Sequence, residues 1–218
     1  MHVVGSGSLT LQIRRGNKMY IKILHPDGRC YSGGKGKWHL PIKGKPGKWM
    51  PPVEHVSLCD SGYHLTDFEN ARSFISSCPF AVFEAEGRGV RTGDLKTHWK
   101  VAFQKARLVK KLFSVTSKQA RRFILRYVEE YLNAIEHSKE KKYILSFIKN
   151  VRKALRGEKK LKDVLNDRTR NKLRSMWCKA YSDKTMYAAN RVLGIFDNYL
   201  CRDLVRQILD EKMMEYGY

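Results

Sequence analysis

The chain has 218 residues, enough for one large domain or two small ones, and its 42% apolar and 29% charged content excludes disorder by composition. The 43 Lys and Arg against 21 Asp and Glu leave a net charge of +22. Residues 1–115 hold 19 basic and 8 acidic groups and residues 116–218 hold 24 and 13, an excess of eleven in each half, so no detachable basic tail accounts for the imbalance.

The folded surface itself is therefore expected to be positive, at a cost in self-repulsion that a polyanionic partner would offset. Nucleic acid is the leading partner class; an acidic protein or an anionic surface is the alternative. No stretch approaches the roughly 18–20 apolar residues of a spanning helix, and no signal-peptide pattern is visible. Cys30, Cys59, Cys78, Cys178 and Cys201 form an odd set without a C-x-x-C pair. Free thiols in a reducing cytoplasm fit that set better than a disulfide framework or a structural zinc site.

Residues 1–18, with Gly5-Ser6-Gly7-Ser8, read as a leader or disordered extension, and Met19 is a candidate start. Tyr20-Ile21-Lys22-Ile23-Leu24 reads as a strand closed by the turn His25-Pro26-Asp27-Gly28. Residues 32–52 are too rich in Gly, Lys and Pro to be regular over much of their length. Thr66-Asp67-Phe68-Glu69 has the form of a capping box, with Phe68, Ala71, Phe74 and Ile75 at helical spacing behind it and Cys78-Pro79 as its stop. Phe80 to Glu86 reads as a strand ended by Gly87-Arg88-Gly89. Trp99 to Phe113 is ambiguous between helix and strand, with strand favoured over 105–113.

From Ser117 the periodicity becomes helical. Phe123, Tyr127, Val128, Tyr131, Leu132 and Ile135 form one apolar stripe. Tyr143, Ile144, Phe147, Ile148, Val151 and Leu155 form a second, closed by Gly157 in the place of a C-terminal cap. Further helices are expected over 158–165, 168–182, 184–199 and 200–215, with Asp167 and Ser182 as candidate caps. The expected class is α+β: a mixed β domain over 19–115 with one main helix, then a basic helical bundle over 116–218.

Two glycine-lysine-tryptophan units stand out, Gly33-Gly34-Lys35-Gly36-Lys37-Trp38 and Gly44-Lys45-Pro46-Gly47-Lys48-Trp49. Glycines let backbone N–H groups converge on an anion, lysines add point charge, and an indole can stack on a base. Lys35, Lys37, Trp38, Lys45, Lys48 and Trp49 are therefore candidate nucleic-acid contacts; the plainer alternative is a basic loop whose tryptophans cover the core. The helical half adds Lys118, Arg122 and Arg126, spaced i, i+4 on one face, then Lys141, Lys142, Arg152, Lys153, Arg168, Arg170 and Arg174. No helix-turn-helix, zinc-finger or RNA-motif signature accompanies them, so contacts to the phosphate backbone rather than to bases are expected.

The histidines show no metal-ligand spacing. His64 stands in Gly62-Tyr63-His64-Leu65, just ahead of the capped helix. Glu84 and Glu86 share one face of a strand, and two such carboxylates raise one another's pKa in a way that suits acid–base work. The alternative is an exposed pair balanced by Arg88 or Arg91.

Gly33 to Trp38, Pro46 to Pro51, Gly62 to Leu65 and Phe83 to Gly89 together follow a motif order that resembles an uncharacterised domain of phage and bacterial proteins. The resemblance covers Tyr20 to about Leu112, under half of the chain, and implies a helical C-terminal extension. The helix followed by an acidic strand is also similar to the ADP-ribosyltransferase superfamily. That similarity implies Glu86 as catalytic glutamate, Glu84 as its assistant, His64 near the nicotinamide, and NAD as cofactor. The first strand, Tyr20-Ile21-Lys22-Ile23, has neither the Arg nor the His-Gly pair that this family uses for NAD, and the serine-threonine-serine element is missing. A non-catalytic version of the fold is the alternative.

The expected function is a nucleic-acid-associated accessory protein without cofactor or metal, phage or mobile-element encoded, acting in host takeover or anti-defence. Its partner would be DNA or RNA, or a host or defence ribonucleoprotein. An ADP-ribosyltransferase-like enzyme and a protein-binding inhibitor with a basic surface are the alternatives.

Overall fold

A computed structural model describes residues 19–31, 36–75, 77–133, 139–179 and 202–215. Residues 1–18, Lys35, Ser182 and the helix expected over 184–199 lie outside them.

Strand β1 (Tyr20–Leu24) forms where the alternation is strongest, sending Ile21 and Ile23 to one face and Lys22 and Leu24 to the other. Strands β2 (Tyr63–Leu65), β3 (Phe80–Thr92) and β4 (Val101–Val115) complete a four-stranded antiparallel sheet in the order β1-β3-β4-β2. Thr66, just past β2, pairs its backbone with Ile21 at 2.7 and 3.0 Å, so the sheet curls until its two edge strands touch.

That closure corrects the helix start. Thr66 is committed to Ile21, and its hydroxyl donates to the Trp99 carbonyl at 2.6 Å, so the cap moves one residue on. The Asp67 carboxylate accepts the Asn70 N–H at 3.0 Å, and helix α1 spans only Phe68–Ala71 before the chain breaks into turns. Ala71 and Ile75 are still buried.

Gly87-Arg88-Gly89 does not end β3, which runs on to Thr92. A Cβ on Gly87 would stand 2.2 Å from the Phe103 ring of β4, and Gly89, at φ +80°, lies where the β3–β4 register slips between Arg88 and Arg91. These glycines mark a close approach and a bulge, not a stop. Trp99 to Phe113 resolves as strand from Val101 onward, longer than expected. Much of the Gly/Lys/Pro-rich stretch is irregular, yet Gly47, Met50 and Val53 donate to the β4 carbonyls of Leu108, Ala106 and Gln104 at 2.8, 2.8 and 3.1 Å.

The helices follow: α2 (Ser117–Asn133), α3 (Lys139–Leu155), α4 (Leu161–Val164), α5 (Asp167–Lys179) and α6 (Arg202–Glu215). A capping box opens α2, with Gln119 N–H donating to the Thr116 hydroxyl and the Gln119 side chain accepting the Thr116 N–H. At the end of α3, Gly157 at φ +89° donates to Ala154 and Glu158 donates to Lys153, the two bonds of a glycine C-terminal cap. Asn166 caps α5 in place of Asp167, accepting the Thr169 N–H at 2.9 Å. In α2 the buried line is Ala120, Ile124, Leu125, Val128 and Leu132, with Phe123 and Tyr127 at its margin.

The sheet's two faces feed separate cores. Ile21, Ile23, Phe80, Val82, Phe113 and Val115 join Ile124, Ile144, Phe147, Leu173 and Ile208 from the helices. Leu24, Phe83, Ala85, Leu108, Phe103 and Leu65 instead enclose Trp38 and Met50. The fold is mixed α+β.

Candidate functional site

Where β1 and β2 come together the structure leaves a cavity of about 470 Å³. Its walls are aromatic and aliphatic, with Trp38, Tyr63, Phe74, Ile21 and Met50, and into it face Lys22, His64, Lys100, Cys30, Cys59 and Asp60. The lysine in the middle of Tyr-Ile-Lys-Ile-Leu is half-buried where the sheet curls over it. The Lys22 ammonium donates to the His64 backbone carbonyl at 2.9 Å and lies over the Trp38 ring, 5.1 Å from its centroid. Burial pushes its pKa down, the nearby Lys100 adds to that shift, and the Cys30 thiol opposes it.

The turn Ser57–Ser61, closed by two backbone hydrogen bonds of 2.9 and 3.2 Å, holds Cys59 at φ +71°. From there the Cys59 N–H donates to His64 Nε2 at 3.1 Å, so this nitrogen keeps its lone pair and the neutral ring carries its proton on Nδ1. Burial lowers the His64 pKa, and the charges of Lys22 and Lys100 lower it further against an opposing contact with the Ser57 backbone. Lys100 reaches the Cys59 sulfur at 3.1 Å. Tyr31, at the far wall, shares its hydroxyl between the carbonyls of Ser77 and Pro79 at 2.5 and 2.7 Å, and burial raises its pKa to about 12.

The cavity takes His64 but neither glutamate. The register sets Glu84 opposite Lys110 and Glu86 opposite Arg107. Glu84 lies 3.7 Å from the Lys110 ammonium, and one Glu86 oxygen meets Arg107 at 2.9 and 3.0 Å. Their partners are thus across the sheet on β4, not Arg88 or Arg91. His64 pairs with Ala102, five residues along β4 from Arg107, or about 16 Å of strand.

The two glycine-lysine-tryptophan units have different fates. Trp38 is only 4% exposed and belongs to the core, in edge contact with Tyr63, so it is no surface platform on which the bases of a nucleic-acid strand could stack. Trp49 is half-buried under the guanidinium groups of Arg88 and Arg107, 4.6 and 4.8 Å from its centroid. Lys37, Lys45 and Lys48 are exposed.

On the helices, Lys118, Arg122, Lys142, Arg168 and Arg174 are exposed, while Lys141, Lys153 and Arg170 are half-buried. Arg126 pairs with Glu211 of α6 and Arg152 with Glu129 of α2. These two therefore brace helices against each other. Tyr143 links α3 to α5: the Lys172 ammonium lies 5.2 Å from its ring centroid, and the Arg168 charge acts against the upward pKa shift that burial gives its hydroxyl.

The cavity lysines were the residues that sequence reasoning passed over. The signal for Lys22 was present, a single charge inside an apolar strand; Lys100 had none. Among the described residues no group of His, Cys, Asp and Glu could hold a metal ion, and no helix is long and apolar enough to cross a membrane. Comparison with protein-family models, curated proteins and solved structures gives no match.

Proposed function

We propose that this chain is a nucleic-acid-associated accessory protein of the cytoplasm that grips the phosphate backbone of DNA or RNA through its helical half, residues 116–218. One observation carries the reading. Among the described residues, Lys118, Arg122, Lys142, Arg168 and Arg174 are exposed on α2, α3 and α5 and none has a carboxylate within 4.0 Å. A solvated helix face usually interleaves its charges with acids, as Arg126 and Arg152 do here. The contact between Lys172 and Tyr143 shows that α3 and α5 meet, which supports a shared basic surface. The sheet domain, 19–115, would supply a second surface through Lys37, Lys45 and Lys48. The resemblance of its motif order to a phage and bacterial domain is what supports a mobile-element setting.

The test is a salt titration of binding to single-stranded and duplex DNA and RNA. Affinity should fall linearly on a log–log plot, with a slope of about −0.9 per phosphate contacted on duplex DNA. Absent binding to every form at low salt would overturn the proposal.

A further inference from the structure

We propose that the cavity between β1 and β2 is a second, separate anion site that binds a small organic phosphate, its phosphoryl group between the ammonium groups of Lys22 and Lys100 and its non-polar part against Trp38 and Tyr63. The volume of about 470 Å³ falls in the range of small-ligand pockets, roughly 300–1,000 Å³, and the half-buried position of both lysines keeps a polymer backbone away from them. Three basic groups from three segments converge here: Lys22 from β1, His64 from β2 and Lys100 ahead of β4. Among the described lining residues Asp60 is the sole carboxylate, and it is exposed at the rim. Each lysine is near enough to depress the His64 pKa, and Lys100 depresses that of Lys22, so the site stores repulsion that a dianion would relieve. A phosphomonoester, close to doubly charged at neutral pH, matches two ammonium groups better than a monocarboxylate does. The aromatic and aliphatic walls favour an organic rather than an inorganic phosphate.

The site is tested on the full chain by calorimetric titration with inorganic phosphate and with adenosine 5′-monophosphate, at an ionic strength of about 0.15 M to screen the surface. One saturable site per chain is expected, with the nucleotide binding at least as tightly as phosphate. Lys22→Met and Lys100→Met should each weaken it roughly ten-fold or more. The double variant Lys118→Gln/Arg122→Gln should keep phosphate binding while losing nucleic-acid affinity, which separates this site from the polyanion surface. Non-saturable binding, unchanged binding in both lysine variants, or a nucleotide bound more weakly than phosphate would overturn the proposal. Circular dichroism of each variant confirms its fold, and Lys100, less central to the sheet, provides the reading should Lys22→Met fail to fold.

Discussion

The ammonium of Lys22 donates to the backbone carbonyl of His64 at 2.9 Å, tying the first strand to the segment that closes the sheet against it. The bond is made at the expense of burying a charge between Trp38 and the cavity wall. Burial lowers the folded-state pKa of Lys22 below its value in the unfolded chain. The sign follows: the folded state resists the proton, so this group's contribution to stability is greatest above the unfolded pKa and is lost as pH falls through the folded one. At neutral pH the penalty is present. Lys22→Met, which keeps the aliphatic stem and drops the charge, should therefore raise stability by about 1 kcal/mol in phosphate-free buffer, read as a higher urea midpoint with unchanged slope. A lower midpoint would show that the His64 bond outweighs the buried charge.

Gly87 makes a second prediction, on packing. The Phe103 ring, held edge-on by Tyr20 at 5.3 Å, occupies the space that a Cβ at Gly87 would need. Gly87→Ala must displace that ring and should cost roughly 2–3 kcal/mol. Gly44 is the control, since nothing lies within 4 Å of its added Cβ, yet its φ of +76° strains any L side chain. Gly44→Ala should cost about 1 kcal/mol. Equal losses at the two sites, measured by chemical denaturation, would show that Phe103 yields freely.

His64 sets an acid dependence. Its folded pKa lies below the ordinary histidine value, and protonation would also break the bond that Nε2 accepts from Cys59. Above an unfolded pKa of about 6.5 both states are neutral and this group contributes no pH dependence; below it the unfolded chain takes up the proton first and stability falls. The groups facing it are Lys22 from β1, Lys100 before β4, and Cys59 and Asp60 from the turn. His64→Gln retains an acceptor for the Cys59 N–H without the titration. The midpoint temperature of the wild type should fall relative to the variant between roughly pH 7 and pH 5. Parallel curves would assign the acid sensitivity elsewhere.

Local patterns showed the sequence's strands and helices where local forces decide them. Tyr20 to Leu24, the stripe from Tyr143 to Leu155 and the Gly157 cap all express short-range alternation, periodicity or a left-handed cap. What could not be read depends on register. Glu84 and Glu86 look like a free carboxylate pair until β4 places Lys110 and Arg107 opposite them. Gly87 and Gly89 look like a strand end until Phe103 is seen beneath one and a register slip beside the other. The shifted cap at Asp67 has the same origin, since Thr66 is drawn off by a partner 45 residues away, Ile21. The cavity is a product of that same long-range closure, so Lys100 could not have been picked out by motif.

The basic helices make the last prediction, and its readout is a slope rather than an affinity. If Lys118 and Arg122 each neutralise one phosphate, replacing both by Gln should make the log–log salt dependence on duplex DNA shallower by about 1.8, at about 0.9 per contact. Arg126 and Arg152 behave differently, because their guanidinium groups already serve Glu211 and Glu129. Arg152→Gln should lower stability while leaving the slope nearly unchanged. A slope that responds to Arg152→Gln as strongly as to the removal of Arg122 would mean that the helix-bracing pair opens on the polymer. The phosphate-binding face would then take in the α2–α3 ion pair as well as the exposed residues of α2, α3 and α5.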